Sequence, residues 1–485
     1  MAFPRTIVVG GGLAGLSATH TLLERGKSVL LLDKKPSLGG NSVKASSGIN
    51  GAHTAAQQAL GIQDSVEAYY TDTAASAGTD LARPKLITAL TSNSASALSW
   101  LTNDFGVDLS IVSRLGGHSA ARTHRDKSGA PGWAITAALM KKLTALAETD
   151  GARVEVIKGA RVVKLLEEEG AVVGVEYETG ASTQTARGNV ILATGCASFS
   201  LCTVSLKQKP AVATQQTFSA TGLLATHRPD LLSLSTTNGD HATGDGVRLA
   251  TSLTSLAPAA LCDLDQVQVH PTGFVDPANP AAKTKFLAAE ALRGVGGLLI
   301  DGKGVRFVDE VQRRDVVTKA MQKVEGGEGR GPVRLVLSEE AVGEVKKHCD
   351  FYVSKNLMKR YSDAKEFSAD TGIPLEAIVE TFASHGKYAS GGEVDPFGKK
   401  TFHNATYNPD TPLHVAIITP VVHYTMGGLS IDSSGHVLSS SSAPIPGLFA
   451  AGEVIGGVHG QNRLAGSSLL EAVVFGRIAG TSAAE

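Results

Sequence analysis

The sequence predicts an α/β fold built on a parallel sheet, and two observations carry this prediction. A strand–turn–helix–strand pattern stands at the amino terminus, and strands that end in glycine turns return much further along the chain. The 485 residues are 42% hydrophobic and 19% charged, which excludes a disordered chain and allows a large buried core. Glycine occurs 54 times, as expected where the backbone turns tightly or approaches a ligand closely.

The amino-terminal pattern is typical of a dinucleotide-binding unit. Thr6–Val9 leads directly into a G-x-G-x-x-G motif (Gly10, Gly12 and Gly15), and a helical pattern continues to about residue 26. A second apolar run, residues 28–32, ends at Asp33, which stands 21 residues after Gly12. The glycines let the backbone approach a pyrophosphate at the helix N terminus, and Asp33 can bind a ribose hydroxyl.

Three later segments favour FAD over NAD as the dinucleotide. They are a glycine pair with polar residues after the second strand, an A-T-G turn after a buried strand, and a late strand that ends in A-A-G-E. Together with two residues that open the last helical run, they complete the predicted cofactor-binding set: Gly39, Gly40, Asn41, Ser42, Ala193, Thr194, Gly195, Glu453, Ser468 and Leu469. We therefore predict a Rossmann-like two-dinucleotide-fold FAD-binding domain.

The domain organisation follows from where these signals stop and resume. Residues 1–265 read as alternating strands and helices, with a β-rich stretch at 154–157, 162–166, 172–177 and 190–193. Residues 266–424 lack the glycine fingerprint and are predicted to form an inserted α+β capping domain. Residues 425–485 return to the FAD-binding domain. Gly427-Gly428 lies beside one crossing and is a candidate hinge.

Histidines and arginines recur beside glycine-rich turns in the second half of the chain. They stand in the segments H-P-T-G, A-E-A-L-R-G, R-F-V-D-E with R-R-D, H-Y-T-M-G-G and H-G-Q-N-R-L. Two histidines and several arginines suit a small dianionic substrate, because a guanidinium group can bind a carboxylate through two hydrogen bonds.

These motifs, in this order, resemble the soluble single-subunit fumarate reductases, relatives of the flavocytochrome c fumarate reductases and of the succinate dehydrogenase flavoprotein. The resemblance covers residues 10–477. It implies hydride transfer from N5 of reduced flavin to one alkene carbon and protonation of the other, giving succinate. The implied substrate-binding residues are His270, His423 and Arg463, to which we add Gln268. The implied proton donor is Arg314, and the implied proton relay is Glu290 with Arg293.

Some residues depart from the family pattern. Ala289 replaces a threonine before the relay glutamate, and Gln461 and Ala465 replace smaller residues around the N-R-L segment. His53 is not a convincing site of covalent flavin attachment, so non-covalent FAD is expected. Residues 197–217 are polar and aperiodic, and we interpret them as an insertion: either a gene-model error such as a retained intron, or a lineage-specific surface loop.

Three alternative functions stay open at this stage. They are an ene-reductase for another unsaturated acid, an enzyme like L-aspartate oxidase, and a non-catalytic FAD-binding module. The sequence contains no C-x-x-C-H haem motif and no second nicotinamide domain, so the expected electron donor is an external reduced flavin or a reductase.

The charge balance and the cysteine spacing limit which macromolecular partners and metals can be expected. Lys and Arg number 45 against 46 Asp and Glu, which gives no electrostatic reason to expect nucleic acid or a membrane surface as a partner. The four cysteines form no metal-binding spacing, and no metal is expected. Without a recognisable signal peptide, a cytoplasmic location is expected, with a mitochondrial one left open.

Overall fold

The computed structural model describes residues 5–127, 130–195, 220–327 and 331–485. The segment 197–217, interpreted above as an insertion, lies outside these residues. Within them, no helix is long and apolar enough to cross a membrane.

The described elements alternate along the chain. The strands are β1 (Thr6–Val9), β2 (Val29–Asp33), β3 (Ile49–Asn50), β4 (Ile111–Ser113), β5 (Thr123–Arg125), β6 (Val154–Lys158), β7 (Ala160–Glu168), β8 (Ala171–Thr179), β9 (Ser182–Arg187), β10 (Val190–Leu192), β11 (Ser235–Thr236), β12 (Leu261–Cys262), β13 (Val267–Phe274), β14 (Leu298–Ile300), β15 (Arg334–Ser338), β16 (Lys359–Tyr361), β17 (Leu413–Thr425), β18 (Gly428–Leu429), β19 (His436–Leu438) and β20 (Pro444–Ala450). The α-helices are α1 (Leu13–Glu24), α2 (Ala55–Ala59), α3 (Val66–Ala77), α4 (Pro84–Ser92), α5 (Ser94–Phe105), α6 (Pro131–Thr149), α7 (Ala220–His227), α8 (Asp245–Thr251), α9 (Ala291–Gly294), α10 (Arg314–Glu325), α11 (Glu339–Glu344), α12 (Lys346–Ser354), α13 (Ala364–Thr371), α14 (Leu375–Ala389) and α15 (Ser467–Ser482).

The first sheet joins distant parts of the chain. Its strand order is β19-β20-β10-β1-β2-β6, parallel except for β19 at one edge. Ile7 lies opposite Leu30 on one side and Val190 on the other, and all three are buried. The strand–helix–strand unit and the β-rich stretch predicted from the sequence are therefore confirmed, as is the α/β fold class.

Small residues allow α1 and α15 to pack closely beside this sheet. A Cβ atom on Gly476 would lie 2.5 Å from the carbonyl oxygen of Ala14, and one on Gly480 would lie 2.8 Å from that of Ala18. The apolar residues of α1 are almost all buried, as expected for a helix covered on several sides. This packing fixes the N terminus of α1 against the sheet.

The second sheet is organised around β17, its longest strand. Strands β11, β13, β15 and β16 pair with it, and β14 pairs with β15. The antiparallel register places Gln268 opposite Tyr424 and His270 opposite Val421. Two motifs that are about 150 residues apart in sequence thus become neighbours.

The boundary near residue 265 is crossed by hydrogen bonding. Strand β11, which the sequence-based division assigns to the first FAD-binding segment, pairs in parallel with β17, most of which that division assigns to the predicted capping domain. Gly427 and Gly428 lie where backbones meet: Cβ atoms there would lie 2.1 Å from the Asp263 carbonyl oxygen and 2.3 Å from that of Val454. Their lack of a side chain thus has a packing reason.

The first residue of helix α10 is Arg314, and its side chain is buried. Its buried face consists of Arg314, Val317, Thr318, Met321 and Val324, the spacing of one helix face. Because the apolar members of this face pack into the capping-domain core, they hold Arg314 at the inner end of the helix.

Candidate active site

A cavity of about 660 Å³ is lined by residues from both of the regions that the sequence predicts as FAD-binding and capping domains. This volume lies within the range of about 300–1,000 Å³ common for small-molecule sites. Most of the predicted cofactor-binding residues line it: Gly10, Gly12, Asp33, Gly40, Asn41, Ser42, Ala193, Thr194, Gly195, Glu453, Ser468 and Leu469. Arg314, His423 and Arg463 line it as well, so the structure brings the two predicted sets to one cavity.

Gly15 and Gly39 belong to the predicted cofactor set but do not line the cavity. A Cβ atom on Gly15 would lie 1.8 Å from the carbonyl oxygen of Gly10. The absence of a side chain at Gly15 therefore allows α1 to pack against the turn that precedes it. Gly39 has a φ of 110° and donates its N–H to the carbonyl oxygen of Gly11 at 2.8 Å. Both glycines therefore determine the backbone conformation around the cavity without lining it.

The residues present fit the adenosine and pyrophosphate parts of a dinucleotide. Asp33 accepts the backbone N–H of Gly11 at 2.7 Å and that of Lys35 at 2.8 Å, which fixes the carboxylate at the cavity wall. A Cβ atom on Gly12 would meet only Ser42 Oγ, at 3.9 Å, so open space faces this glycine. The buried Thr194 hydroxyl has no hydrogen-bond partner among the described residues, as expected for a group that awaits a ligand.

The Gln268 side chain joins two arginines at the other part of the cavity. Its Oε1 accepts from Arg314 Nη1 at 2.7 Å and from Arg463 Nη2 at 3.0 Å. Its Nε2 donates to Asn462 Oδ1 at 3.0 Å and to the carbonyl oxygen of Arg463 at 2.8 Å. Two guanidinium groups therefore converge on one neutral oxygen, and Gln268 adds no negative charge between them.

Glu290 is the carboxylate partner of this group. Its Oε2 accepts from Arg314 Nε at 2.7 Å and lies 3.5 Å from Arg293 Nη2, while its Oε1 accepts the N–H of Gly116 at 3.1 Å. Burial raises the pKa of Glu290, but the charges of Arg314 and Arg293 and these hydrogen bonds outweigh burial, and the pKa lies below its usual value. Glu290 is therefore ionised at neutral pH.

Arg463 contrasts with Arg314. Its side chain is 2% exposed, and its buried Nε has no hydrogen-bond partner among the described residues, while Nη1 and Nη2 donate to the Leu464 carbonyl oxygen and to Gln268. Burial, followed by the charge of Arg314, lowers the pKa of Arg463 to about 10, so the group stays charged at neutral pH. Tyr424, Glu453 and Glu471 act in the opposite direction, and an anionic ligand would add to their stabilisation of the charged form.

The two histidines form a contacting pair. The rings of His270 and His423 meet edge to face with centroids 5.1 Å apart. Burial, and then the positive charge of Arg314, lowers the pKa of both rings well below the usual value, so both are neutral at neutral pH. The Thr272 N–H donates to His270 Nδ1 at 3.2 Å, which places the ring proton on Nε2.

The predicted substrate-binding residues do not all reach the cavity wall. His423 is half-buried and lines the cavity, whereas His270 is fully buried and lies behind it with Gln268, Glu290 and Arg293. In this structure these four residues form the layer that supports Arg314, His423 and Arg463. His53 is exposed and lies away from the cavity wall.

Several supporting residues were missed by the sequence analysis. Thr237 Oγ1 hydrogen bonds to His423 Nδ1 at 2.7 Å, and the ring of Tyr424 lies under Arg463. Asn462 and Tyr424 lie inside motifs that the sequence analysis already names, so their position in these motifs could have identified them as site residues. Thr237 is brought in by the β11–β17 pairing, and nothing in its local sequence marks it.

Comparisons with known proteins give matches over nearly the whole chain. A family model described as an FAD binding domain matches residues 5–469. The chain is 43% identical to a fumarate reductase of Schizosaccharomyces pombe over 99% of this chain and 89% of that protein, and 39% identical to fumarate reductase 1 of Saccharomyces cerevisiae over 100% and 99%. Its structure is similar to the open conformation of a flavocytochrome c3 fumarate reductase, with a TM-score of 0.73, 30% identity, and coverage of 99% of this chain and 78% of that one.

Proposed function

The chain belongs to this FAD-binding family and is a flavin-dependent oxidoreductase with FAD as its cofactor, and from that premise we propose that it reduces fumarate to succinate. The observation that carries the substrate assignment is the buried Arg463, whose Nε has no hydrogen-bond partner among the described residues and whose Nη2 shares the Gln268 oxygen with Arg314. Fumarate is small and dianionic, so it suits two convergent guanidinium groups with neutral histidines beside them.

Arg463 and the histidines bind and orient the substrate. The guanidinium group of Arg463 donates hydrogen bonds to one carboxylate, and neutral His423 contributes a further hydrogen bond from the cavity wall. His270 supports His423 from behind and holds its own Nε2–H toward the cluster. Negative charge grows on the substrate carboxylate during hydride addition, and fixed cations at that position stabilise the transition state more than the ground state.

Arg314 supplies the proton to the second alkene carbon. Its Nε and Nη1 are held by Glu290 and Gln268, which leaves Nη2 without a hydrogen-bond partner among the described residues. An arginine is a weak acid, with an ordinary pKa above about 12, but the carbanion that it protonates is more basic. Glu290 Oε2, at 2.7 Å from Arg314, returns the proton, and Arg293 delivers it to Glu290.

FAD contributes the hydride when it is bound in its reduced form. The residues that would hold it are the cavity-lining glycines, Asp33 and Thr194. The chain's own contribution is a buried, preorganised set of charges beside the flavin-binding part of the cavity. The expected electron donor, an external reduced flavin or a reductase, and the cytoplasmic location stay predictions.

One experiment tests both the activity and the role of Arg314. The bound flavin is reduced anaerobically with dithionite, fumarate is added, and flavin reoxidation is followed by absorbance together with succinate formation. We expect rapid reoxidation with one succinate per flavin. The Arg314→Ala variant should lose this reoxidation by at least about 100-fold, the scale of lost acid catalysis.

Arg313→Ala is the matched control. This neighbouring arginine is half-exposed, pairs with Asp315 at 3.2 Å and does not line the cavity, so its loss should leave reoxidation intact. A reduced wild-type enzyme that does not react with fumarate would overturn the proposed activity. Unchanged reoxidation in Arg314→Ala would overturn only the role of that arginine.

A further inference from the structure

The proton relay of the proposed function ends at a residue that solvent does not reach. Arg293 is 1% exposed, and its Nη1 donates to the carbonyl oxygen of Glu310. Its Nε is buried and has no hydrogen-bond partner among the described residues. Because each turnover consumes one proton at Arg314, a further group must carry protons from solvent to Arg293.

The segment 309–312 leads from this buried arginine to the surface. Its first two residues are buried, the third is half-buried, and Gln312 is exposed. Its backbone also packs beside the relay glutamate. A Cβ atom on Gly116 would lie 2.7 Å from the carbonyl oxygen of Gln312 and 3.0 Å from Glu290 Oε1. The segment therefore connects the buried relay with solvent over a short stretch of chain.

The Glu310 carboxylate in this segment is held in its ionised form. It is fully buried, and its oxygens accept from Arg306 Nε at 2.7 Å and from Lys399 Nζ at 2.9 Å. Burial raises the pKa of Glu310, but the charges and hydrogen bonds of Lys399 and Arg306 outweigh burial and lower the pKa to about 2. This carboxylate therefore takes up no proton near neutral pH.

Asp309, the preceding residue, differs from Glu310 in its partners. Its side chain is buried, its Oδ1 accepts the Val311 N–H at 3.1 Å, and its Oδ2 accepts the Gln312 side-chain amide at 3.1 Å. Both of these donors are neutral. Burial and the charge of Glu310 raise the pKa of Asp309 above its usual value, although the Val311 N–H and the charge of Lys399 act in the opposite direction. Asp309 therefore takes up a proton more readily than Glu310.

The Asp309 carboxylate lies close enough to Arg293 for their charges to interact. Burial lowers the pKa of Arg293 below its usual value. Three carboxylates act in the opposite direction: Glu290, Glu310 and Asp309. Glu290 lies on the Arg314 side of the relay, and two cations hold Glu310. Of the three, Asp309 is the carboxyl group that can exchange protons between Arg293 and solvent.

We propose that Asp309 is the proton-entry residue of this enzyme, which takes protons from solvent and passes them to Arg293. The inference rests on the proposed function, because a reaction that consumes a proton at Arg314 needs such an entry. The step moves one proton and no electrons. After Arg293 has given its proton to Glu290, an O–H bond of Asp309 breaks as an N–H bond of Arg293 forms. The Asp309 carboxylate then takes the next proton from solvent.

A comparison of the first turnover with later ones separates a proton-supplying role from a structural one. The arginines of the relay are protonated before fumarate arrives, so the first reduction uses protons already in place. In Asp309→Asn, reoxidation of the dithionite-reduced holoenzyme by fumarate should therefore stay within about twofold of the wild-type rate. The steady-state kcat, with reduced methyl viologen as electron donor, should fall at least about tenfold while the KM for fumarate stays unchanged.

The acid available in solution gives a second measurement. Without Asp309, protons must come directly from hydronium ions or buffer acid. The deficit in kcat of Asp309→Asn should therefore grow from about pH 6 to about pH 9 and shrink as the buffer concentration rises. Asp309→Glu restores a carboxyl group and should recover part of the lost kcat.

Asp301→Asn is the matched control. Asp301 is also buried and accepts two backbone N–H groups, those of Lys303 at 2.9 Å and Val305 at 3.0 Å, but it lies in the turn after β14. Its replacement removes a buried carboxylate outside the segment 309–312. Both the first reoxidation and the steady-state kcat of this variant should stay within about twofold of the wild type.

Two results would overturn the proposal. One is a steady-state kcat in Asp309→Asn equal to that of the wild type across the pH range. The other is a first reoxidation slowed as much as steady-state turnover, because Asp309 would then only hold the segment 309–312 in place. The proposed function is tested by the first reoxidation of the wild-type enzyme with fumarate, so its failure appears before any variant is compared.

Discussion

Arg463 lies over the ring of Tyr424, with its guanidinium carbon 4.3 Å from the ring centroid. The Tyr424 hydroxyl donates to the buried carboxylate of Glu471, whose Oε2 lies 3.5 Å from His459 Nε2. Burial and the charge of Glu471 raise the pKa of Tyr424 well above its usual value, so the hydroxyl keeps its proton. The tyrosine is therefore a fixed platform for the arginine that we assign to the substrate carboxylate.

Two substitutions of Tyr424 separate its ring from its hydroxyl. Tyr424→Leu removes the face on which Arg463 lies and should raise the KM for fumarate roughly tenfold, since a buried cation–π contact is worth about 1–2 kcal/mol. Tyr424→Phe keeps the ring, so the KM should change by less than about threefold, but it removes a hydrogen bond from buried Glu471 and should lower the Tm. Steady-state kinetics and thermal unfolding measure both. An equal KM in the two variants would contradict the platform role.

Glu290→Gln tests the proton relay. Glutamine keeps an acceptor for Arg314 and for the Gly116 N–H but cannot carry a proton to Arg314. We expect kcat to fall about 100-fold, on the scale of general acid–base catalysis, while the KM for fumarate changes little.

Glu290→Asp is the comparison variant, because a carboxylate at this position should recover part of the lost kcat. Loss of activity through a raised KM would indicate that Glu290 only positions Arg314. A kcat in Glu290→Gln equal to that of the wild type would show that protons reach Arg314 by another route.

Much of the nucleotide-binding part could be predicted from the sequence because its signals are local. The run from Thr6 to Asp33 contains its own strand, turn, helix and acid within about 30 residues, and all of them are found in the structure. The layered arrangement around Arg314 could not be predicted in the same way. It depends on the antiparallel register of β13 against β17, which places Gln268 opposite Tyr424, and sequence separation alone does not specify such a register.

The resemblance predicts which residues carry the chemistry, but it does not predict how deeply each one is buried. His270 and His423 are equivalent as motif residues, yet one is fully buried and the other lines the cavity. Packing in three dimensions decides this difference: His270 lies on β13, which pairs with β17 in the same sheet, and the Thr272 N–H donates to its Nδ1.

Buried histidines predict a loss of stability in mild acid. Burial lowers the pKa of His20, His118 and His124 to about 4, against an unfolded value of about 6.5. Between these two values the unfolded chain binds protons that the folded chain does not, so the free energy of unfolding falls as the pH drops from 7 to 5. Each histidine contributes on the order of 1–2 kcal/mol at pH 5.

His20→Gln tests this pH dependence at one position. The glutamine amide can still donate to the Leu139 carbonyl oxygen, which lies 3.0 Å from His20 Nε2, and it does not titrate. Whatever its Tm at pH 7, the variant should lose less stability than the wild type between pH 7 and 5 in chemical unfolding experiments. Parallel pH profiles of the two proteins would refute the contribution of His20.

Alanine is expected to have different effects at two glycines of the first turn: it should weaken FAD binding at Gly12 and lower stability at Gly15. Gly12 has a φ of −75°, which alanine adopts freely, and its Cβ would enter open space in the cavity wall. Gly12→Ala should therefore fold with a Tm close to that of the wild type, while its methyl group keeps FAD from approaching the backbone. Gly15→Ala would place a Cβ 1.8 Å from the Gly10 carbonyl oxygen, so it should displace α1 and destabilise the domain by about 1–3 kcal/mol or more.

Both variants are purified with excess FAD, and FAD content, FAD dissociation constant and thermal unfolding are measured on the same samples. Gly12→Ala should bind FAD at least about tenfold more weakly, because a close backbone approach to the pyrophosphate is lost. Normal FAD affinity in Gly12→Ala would show that the cofactor does not approach this turn. A normal Tm in Gly15→Ala would show that α1 can shift at no cost, contrary to the tight packing of the turn against the helix.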